Sequence, residues 1–295
     1  MTKFISFTTQ KGGDGKTTNN LYSGLMFAHN KKKVLLVDAD EQHTLDNRLA
    51  TIFHTSLPSK IAQRQGKTTF TEGLDKYDLT NSLIKLNPYI YVLPATEELH
   101  KADQELQKQY NKQGVKCYFI LGMLLDQVCQ KYGIDVCLID NRPSLNSILS
   151  ISIMLTCEDI IITQASQSSL ESANTTFQNC KALFKKYGNV VNQAFNHETG
   201  LLGVMPVQVP TKSKISSSDK FVLAEINKLF KGYVFKHYIK YMSSIRRLEL
   251  QSMKNPRSHS MFDVTQFDET TDYWINLVMK SYLQINQEII NPVYA

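Results

Sequence analysis

Residues 4–20 read Phe4-Ile5-Ser6-Phe7-Thr8-Thr9-Gln10-Lys11-Gly12-Gly13-Asp14-Gly15-Lys16-Thr17-Thr18-Asn19-Asn20. An apolar strand runs into a glycine-rich loop, and the loop opens a helix. That is the order of a phosphate-binding loop. Glycines let the backbone approach a polyphosphate, successive N–H groups point at it, and the helix adds the positive end of its dipole. In such a loop Lys16 reaches the β- and γ-phosphates and the Thr17 hydroxyl ligates Mg²⁺. The strict pattern G-x-x-x-x-G-K-[ST] needs glycine where this chain has Gln10. The variant K-G-G-x-G-K-[ST], with an earlier lysine, fits in full through Lys11. A glycine-rich turn with incidental lysines is the competing reading, and the strand–loop–helix context argues against it.

Outward from the loop, the spacing of Leu21, Leu25 and Ala28 predicts a helix from Lys16 to about Asn30, closed by a solvated Lys31-Lys32-Lys33 turn. Val34-Leu35-Leu36-Val37 follows and ends in Asp38-Ala39-Asp40. An unbroken apolar run is what a strand covered on both faces looks like, and carboxylates at its C-terminal end sit where ligands bind in an open parallel sheet. The period of two points Asp38 and Asp40 to one side. One can hold a metal-bound water while the other orients the attacking water. Ile134 to Asp140 repeats the pattern, and Asp140 suits the magnesium shell.

Further strands are expected at Tyr89–Pro94, Asp159–Thr163 and Leu201–Val207. Helices are expected at Glu97–Gln113, Tyr118–Tyr132, Leu170–Tyr187, Ser216–Phe230, Ser243–Met253 and Glu269–Ile290. The stretch from Leu45 to Asn87 has no clear period, and Arg64–Thr69 reads as an exposed loop. Strands alternating with helices predict an α/β fold, a doubly wound, mostly parallel sheet with helices on both faces. We expect one P-loop ATPase domain over residues 1–295.

A hydrophobic fraction of 42% with 20% charged residues is that of a globular chain, and the net charge of +6 is a mild excess. It permits contact with nucleic acid without requiring it. The five cysteines are scattered without ligand spacing, which predicts buried thiols in a cytoplasmic protein rather than a zinc or iron–sulfur site. No signal peptide and no membrane span is expected.

Lys11-Gly12-Gly13-Asp14-Gly15-Lys16-Thr17-Thr18, Val34 to Gln42, and Leu138-Ile139-Asp140-Asn141-Arg142-Pro143-Ser144-Leu145 closely resemble, in order and spacing, the ParA/MinD ATPases with their deviant Walker A loop. Weaker similarity continues through Tyr91–Ala95 and Val204-Met205-Pro206 to about Ile285. The resemblance implies Mg²⁺-dependent ATP hydrolysis by an ATP-dependent homodimer. It implies that Lys11 crosses to the partner's nucleotide, that Lys16 and Thr17 contact phosphate and Mg²⁺, and that Asp40 positions water. It further implies metal roles for Asp38 and Asp140 and nucleotide contacts from Gly12 to Thr18 and at Pro206 and Val207. A cation supplied in trans would couple hydrolysis to dimerisation.

Within that family the short, Soj-like ParA branch fits best. The tail from Gln284 to Ala295 carries no Lys or Arg, unlike a membrane-anchoring helix, and the first strand starts too early for an N-terminal winged helix. The branch implies non-specific double-stranded DNA as a partner, a ParB-like centromere-binding protein as another, and association with the nucleoid when ATP is bound. Candidate DNA contacts are Lys212, Lys214 and Lys220 with Arg246, Arg247, Lys254 and Arg257. The alternatives are a MinD-like or orphan ATPase that positions a protein cargo, and a nucleotide-gated interaction protein with little hydrolysis. Three departures bear on turnover. Asp14 puts a carboxylate in an anion-binding loop and is expected to face solvent or the other subunit. Glu41 and His43 replace the usual Pro and Gly, and Asn141-Arg142 replaces the usual Cys-Pro. Arg142 is left open between nucleotide, the other subunit and DNA.

Overall fold

The computed structural model describes residues 1–95, 98–143, 147–209, 215–239 and 273–294, with the side chains of 273–277 outside the description. Seven strands form one sheet in the order β3-β4-β2-β5-β1-β6-β7. They are β1 (Lys3–Thr8), β2 (Val34–Ala39), β3 (Ile84–Lys85), β4 (Ile90–Leu93), β5 (Val136–Asn141), β6 (Glu158–Gln164) and β7 (Gly200–Val207). Every pairing is parallel except β3 with β4. The described helices are α1 (Lys16–His29), α2 (Thr44–Ile52), α3 (Pro58–Arg64), α4 (Phe70–Asp75), α5 (Leu99–Gln113), α6 (Ile120–Tyr132), α7 (Ile148–Thr156), α8 (Gln167–Ala194), α9 (Ser217–Leu229) and α10 (Tyr273–Ile290). The doubly wound reading holds. Among the described residues no helix is long and apolar enough to cross a membrane.

The strand alternation sorts the core onto two faces. Val34 and Leu36 of β2, with Val136 and Leu138 of β5, share one cluster with Leu21 and Leu25 of α1 and Tyr282 and Ile285 of α10. Leu35, Val37, Cys137 and Ile139 point the other way, into a cluster with α5, α6 and α7. Continued by one more step, the period of two sends Asp38 and Asp140 to the α1 face. The two acids are partners in the β2–β5 register. The helix lies tight on the sheet there, since a Cβ on Gly24 would come within 2.7 Å of Leu36. Polar bonds fix α10 along α1: Tyr282 donates to Asn19 Oδ1 at 3.1 Å and Asn286 donates to the Ser23 carbonyl at 2.9 Å. All five cysteines are buried and free.

Several segments differ from the expectations above. The unreadable stretch holds three short helices, α2 to α4, and the edge strand β3. Arg64 ends α3, and Thr69 caps α4 in a reciprocal pair with Glu72, so only the middle of the expected loop is a turn. The helix expected from Tyr118 begins as a 3₁₀ turn, Gly114–Phe119, before α6. The helix α7 was not anticipated, and α8 runs seven residues beyond Tyr187, to Ala194. The helix expected at Ser243–Met253 lies outside the described residues.

Candidate active site

The loop after β1 turns on two glycines with left-handed backbones, Gly13 at φ 84° and Gly15 at φ 96°. A side chain at either would be strained. Gly12 has no such requirement, and a Cβ there would meet nothing within 4 Å. The absent side chain leaves open space above the loop, as close approach of a phosphate needs. Gly15 is the N-cap of α1, and the first turn of α1 carries no acid, so the positive end of its dipole is not neutralised from within. Gln164, at the end of β6, holds the loop through the Gly13 carbonyl at 3.3 Å.

Lys16 is buried in this cradle. Burial lowers its pKa, and the charges of Asp140, Asp40 and Asp14 oppose that fall. Asp140 is buried at the end of β5, accepts from Asn20 Nδ2 at 3.2 Å, and has a second oxygen with no partner. Burial pushes its pKa up to about 6, although the Thr17 hydroxyl, within hydrogen-bonding reach, and Lys16 pull it down. Asp38 accepts from the backbone of Asp40 and of Asp46, each at 3.2 Å. Its pKa is raised well above the carboxylate range, first by burial and then by Asp140. Asp40 lies just past β2, half-buried, and accepts from the Gln42 N–H at 3.1 Å.

Two close buried carboxylates, an unpartnered oxygen and a hydroxyl form a donor set that suits a cation. The residues therefore fit Mg²⁺ beside a polyphosphate: Thr17 and Asp140 would hold the ion, with Asp38 behind them and Lys16 on the phosphates. When bound, the ion would supply positive charge to the phosphoryl oxygens.

Asp14 requires a correction. It was expected to face solvent or another subunit, but it is fully buried. Ser169 of α8 donates to its Oδ1 at 3.3 Å, and Oδ2 has no partner. Packing of the α8 start over the loop turns it inward. Burial raises its pKa against the charges of Lys11 and Lys16. Lys11 lies on the same helix start, donating to Ser168 Oγ at 2.8 Å and Ser169 Oγ at 2.9 Å.

Pro206 and Val207 are buried in β7, opposite Thr163 and Gln164. Beside them the exposed Gln208, at φ 53°, brings its amide to 4.0 Å from where a Gly15 Cβ would sit. Thr18 accepts from Arg48 of α2 at 2.6 Å. Sequence reading missed Asn20, Arg48, Gln164 and Gln208. Asn20 could have been found, because it lies one helical turn beyond Lys16. The others come from distant elements and have no local signal. Of the DNA candidates, Lys220 is exposed on α9. Lys212, Lys214, Arg246, Arg247, Lys254 and Arg257 lie outside the described residues.

A mostly parallel sheet whose first strand feeds a Lys-Gly-Gly-x-Gly-Lys-Thr loop, with acids at the C-terminal ends of the neighbouring β5 and of β2 beyond it, defines a P-loop ATPase. A family model described as an AAA domain matches residues 2–195, and the chain belongs to that family, within the ParA/MinD ATPases and close to Soj-like ParA. A cobyrinic acid a,c-diamide synthase of Mycobacterium smegmatis, solved with a bound ATP analogue and magnesium, superposes with a TM-score of 0.64 at 20% identity, covering 88% of this chain and 97% of that one. The sporulation initiation inhibitor protein Soj of Bacillus subtilis is 26% identical over 240 residues, 81% of this chain and 84% of that protein. The chromosome-partitioning ATPase Soj of Treponema pallidum is 26% identical over 244 residues, 80% of this chain and 81% of that one. Among solved structures, a Cyanothece McdA variant in complex with ATP superposes with a TM-score of 0.71 at 17% identity, covering 100% of this chain and 98% of that one. At that identity the likeness concerns the fold.

Proposed function

We propose that this chain is a ParA-type partition ATPase. Its ATP-bound sandwich dimer holds double-stranded DNA non-specifically. A ParB-like centromere-binding partner stimulates hydrolysis and so drives segregation of a plasmid or other replicon. The supporting observation is the meeting of Lys16, Thr17, Asp38 and Asp140 at the C-terminal ends of the central strands, with Asp40 beside them. In this reading Lys16 and the loop N–H groups neutralise the phosphates and Asp40 orients the attacking water. Lys11 leaves two neutral hydroxyls for the partner's nucleotide, an exchange that favours the phosphate because there the acceptor is charged as well as the donor. Lys220 and the basic residues of the C-terminal third face DNA.

A gel-shift titration with ATP, ADP and no nucleotide tests the proposal. Retention is expected with ATP only, with a Kd of ~10⁻⁴–10⁻⁶ M that weakens steeply as salt rises. Lys11→Ala should keep ATP binding and lose retention. Equal binding without nucleotide, or none at low salt, overturns the DNA reading. A fully active Lys11→Ala protein removes the trans role of that lysine.

A further inference from the structure

Glu41 and Arg142 are both foreign to the family pattern, and the fold brings them together. Glu41 follows Asp40 in the turn after β2, and Arg142 follows the last residue of β5. Arg142 Nη1 lies 3.2 Å from Glu41 Oε1 and 2.8 Å from Asp103 Oδ2 on α5. The other oxygen of Asp103 accepts the Leu149 N–H, in the first turn of α7, at 2.9 Å. Next to Arg142, the buried Asn141 accepts from the Ser150 hydroxyl at 3.1 Å. The end of β5 is thus anchored twice to α7, and the guanidinium extends that anchor to the turn carrying Asp40.

The arrangement is a poor device for stability alone. The Arg142 side chain is only 15% exposed, yet its Nε and Nη2 are buried with no hydrogen-bond partner among the described residues. A buried, half-satisfied cation contributes little net stability. What it supplies is a fixed link. The Asp40 backbone donates to Asp38 and accepts from the His43 N–H, but among the described residues its carboxylate is held by the Gln42 N–H alone, inside the same turn. Glu41 sits between Asp40 and Gln42, so holding its side chain holds the turn that joins them.

We propose that Arg142 is a positioning residue for ATP hydrolysis, which through Glu41 fixes the turn that aims Asp40. The inference rests on the reading that Asp40 orients water. Lys16, Thr17 and Asp140 do not touch the link, so it acts on turnover and not on nucleotide binding. Small losses of aim at a reacting group cost one to two orders of magnitude in rate.

The test is steady-state phosphate release with Mg²⁺ and DNA, paired with equilibrium binding of a fluorescent ATP analogue. Glu41→Gln and Arg142→Gln are each expected to lower kcat about 10-fold with the analogue's Kd within about 2-fold of the parent. The double variant should be no slower than Arg142→Gln, because both remove one link. Arg142→Lys should recover part of the rate. Unchanged kcat, additive losses in the double variant, or a weakened Kd with kcat intact would each overturn the proposal. Glu41 is 44% exposed, so Glu41→Gln keeps the test standing if Arg142→Gln fails to fold. Asp40→Asn separates the two levels: full turnover there removes the reading of Asp40 itself, whereas its loss beside normal Glu41→Gln turnover removes the link alone.

Discussion

The two flanks of the phosphate loop handle their unusual charges in opposite ways. On the β2–β5 flank, Arg142 is ion-paired directly with Glu41 and Asp103. On the α8 flank, Asp14 is buried, has one weak hydroxyl donor and lacks any ion pair within contact distance among the described residues. The charges that moderate it are those of Lys11 and Lys16, which the phosphates also need. One departure compensates itself, and the other draws on the binding machinery. The first should therefore tune turnover and the second affinity.

The largest expected effect removes the cation that both flanks share. Lys16→Ala should weaken ATP binding at least about 100-fold, the equivalent of about 3 kcal/mol, as measured by calorimetry. Lys16 is buried near Asp140, Asp40 and Asp14, so its loss leaves three carboxylates without that countercharge beside the phosphate loop. Binding within about 3-fold of the parent would mean that the loop N–H groups alone carry the affinity, and the contrast between the flanks would lose its centre.

How much of this could be read beforehand follows the range of each interaction. β1, β2, β5, β6 and β7 were legible because strands buried on both faces leave unbroken apolar runs bounded by polar residues. The acids at the ends of β2 and β5 were legible for the same reason, since strand period and loop context fix their side. β3 was not, because two residues at an antiparallel edge make no pattern. Nor was α7: Ile148–Thr156 is rich in Ile, Ser and Thr, all weak helix formers, and only Cys157 separates it from β6. The Glu41–Arg142 pair and the burial of Asp14 depend on where α5 and α8 land, which no local rule supplies. His43 shows what the pattern could have foretold. It stands where the family has glycine, and its backbone keeps the left-handed form that glycine favours, at φ 50°.

The α8 flank carries a second unsatisfied acid, and it isolates stability from function. Asp159 of β6 is fully buried, and neither carboxylate oxygen has a partner. Burial raises its pKa well above the usual range. The native state therefore holds a proton that the unfolded chain releases, and stability from this group falls as pH rises from about 4 through the raised pKa. Asp159→Asn should raise stability at pH 7 by roughly 1–3 kcal/mol and flatten its slope with pH, as read by urea unfolding across that range. ATP affinity should not move, because Asp159 lies at the start of β6, at the opposite end of the strand from Gln164, which holds the phosphate loop. A change in affinity would show that the α8 flank acts as a unit and that Asp14 is not its sole contribution.

The smallest effect is the most pointed. Asp14→Asn keeps an oxygen for the Ser169 hydroxyl and deletes only the charge. If Asp14 competes with phosphate for Lys11 and Lys16, ATP should bind roughly 5-fold tighter, about the 1 kcal/mol expected of a charge several ångströms away in a partly buried site. Raised salt should shrink the difference little, since screening is weak for a buried charge. Weaker binding would reverse the assignment: Asp14 would then hold the loop open through the α8 start, and its charge would be structural. Because kcat belongs to the other flank, it should change far less in Asp14→Asn than in Glu41→Gln. If the two variants instead share one kinetic signature, the flanks are not separate devices.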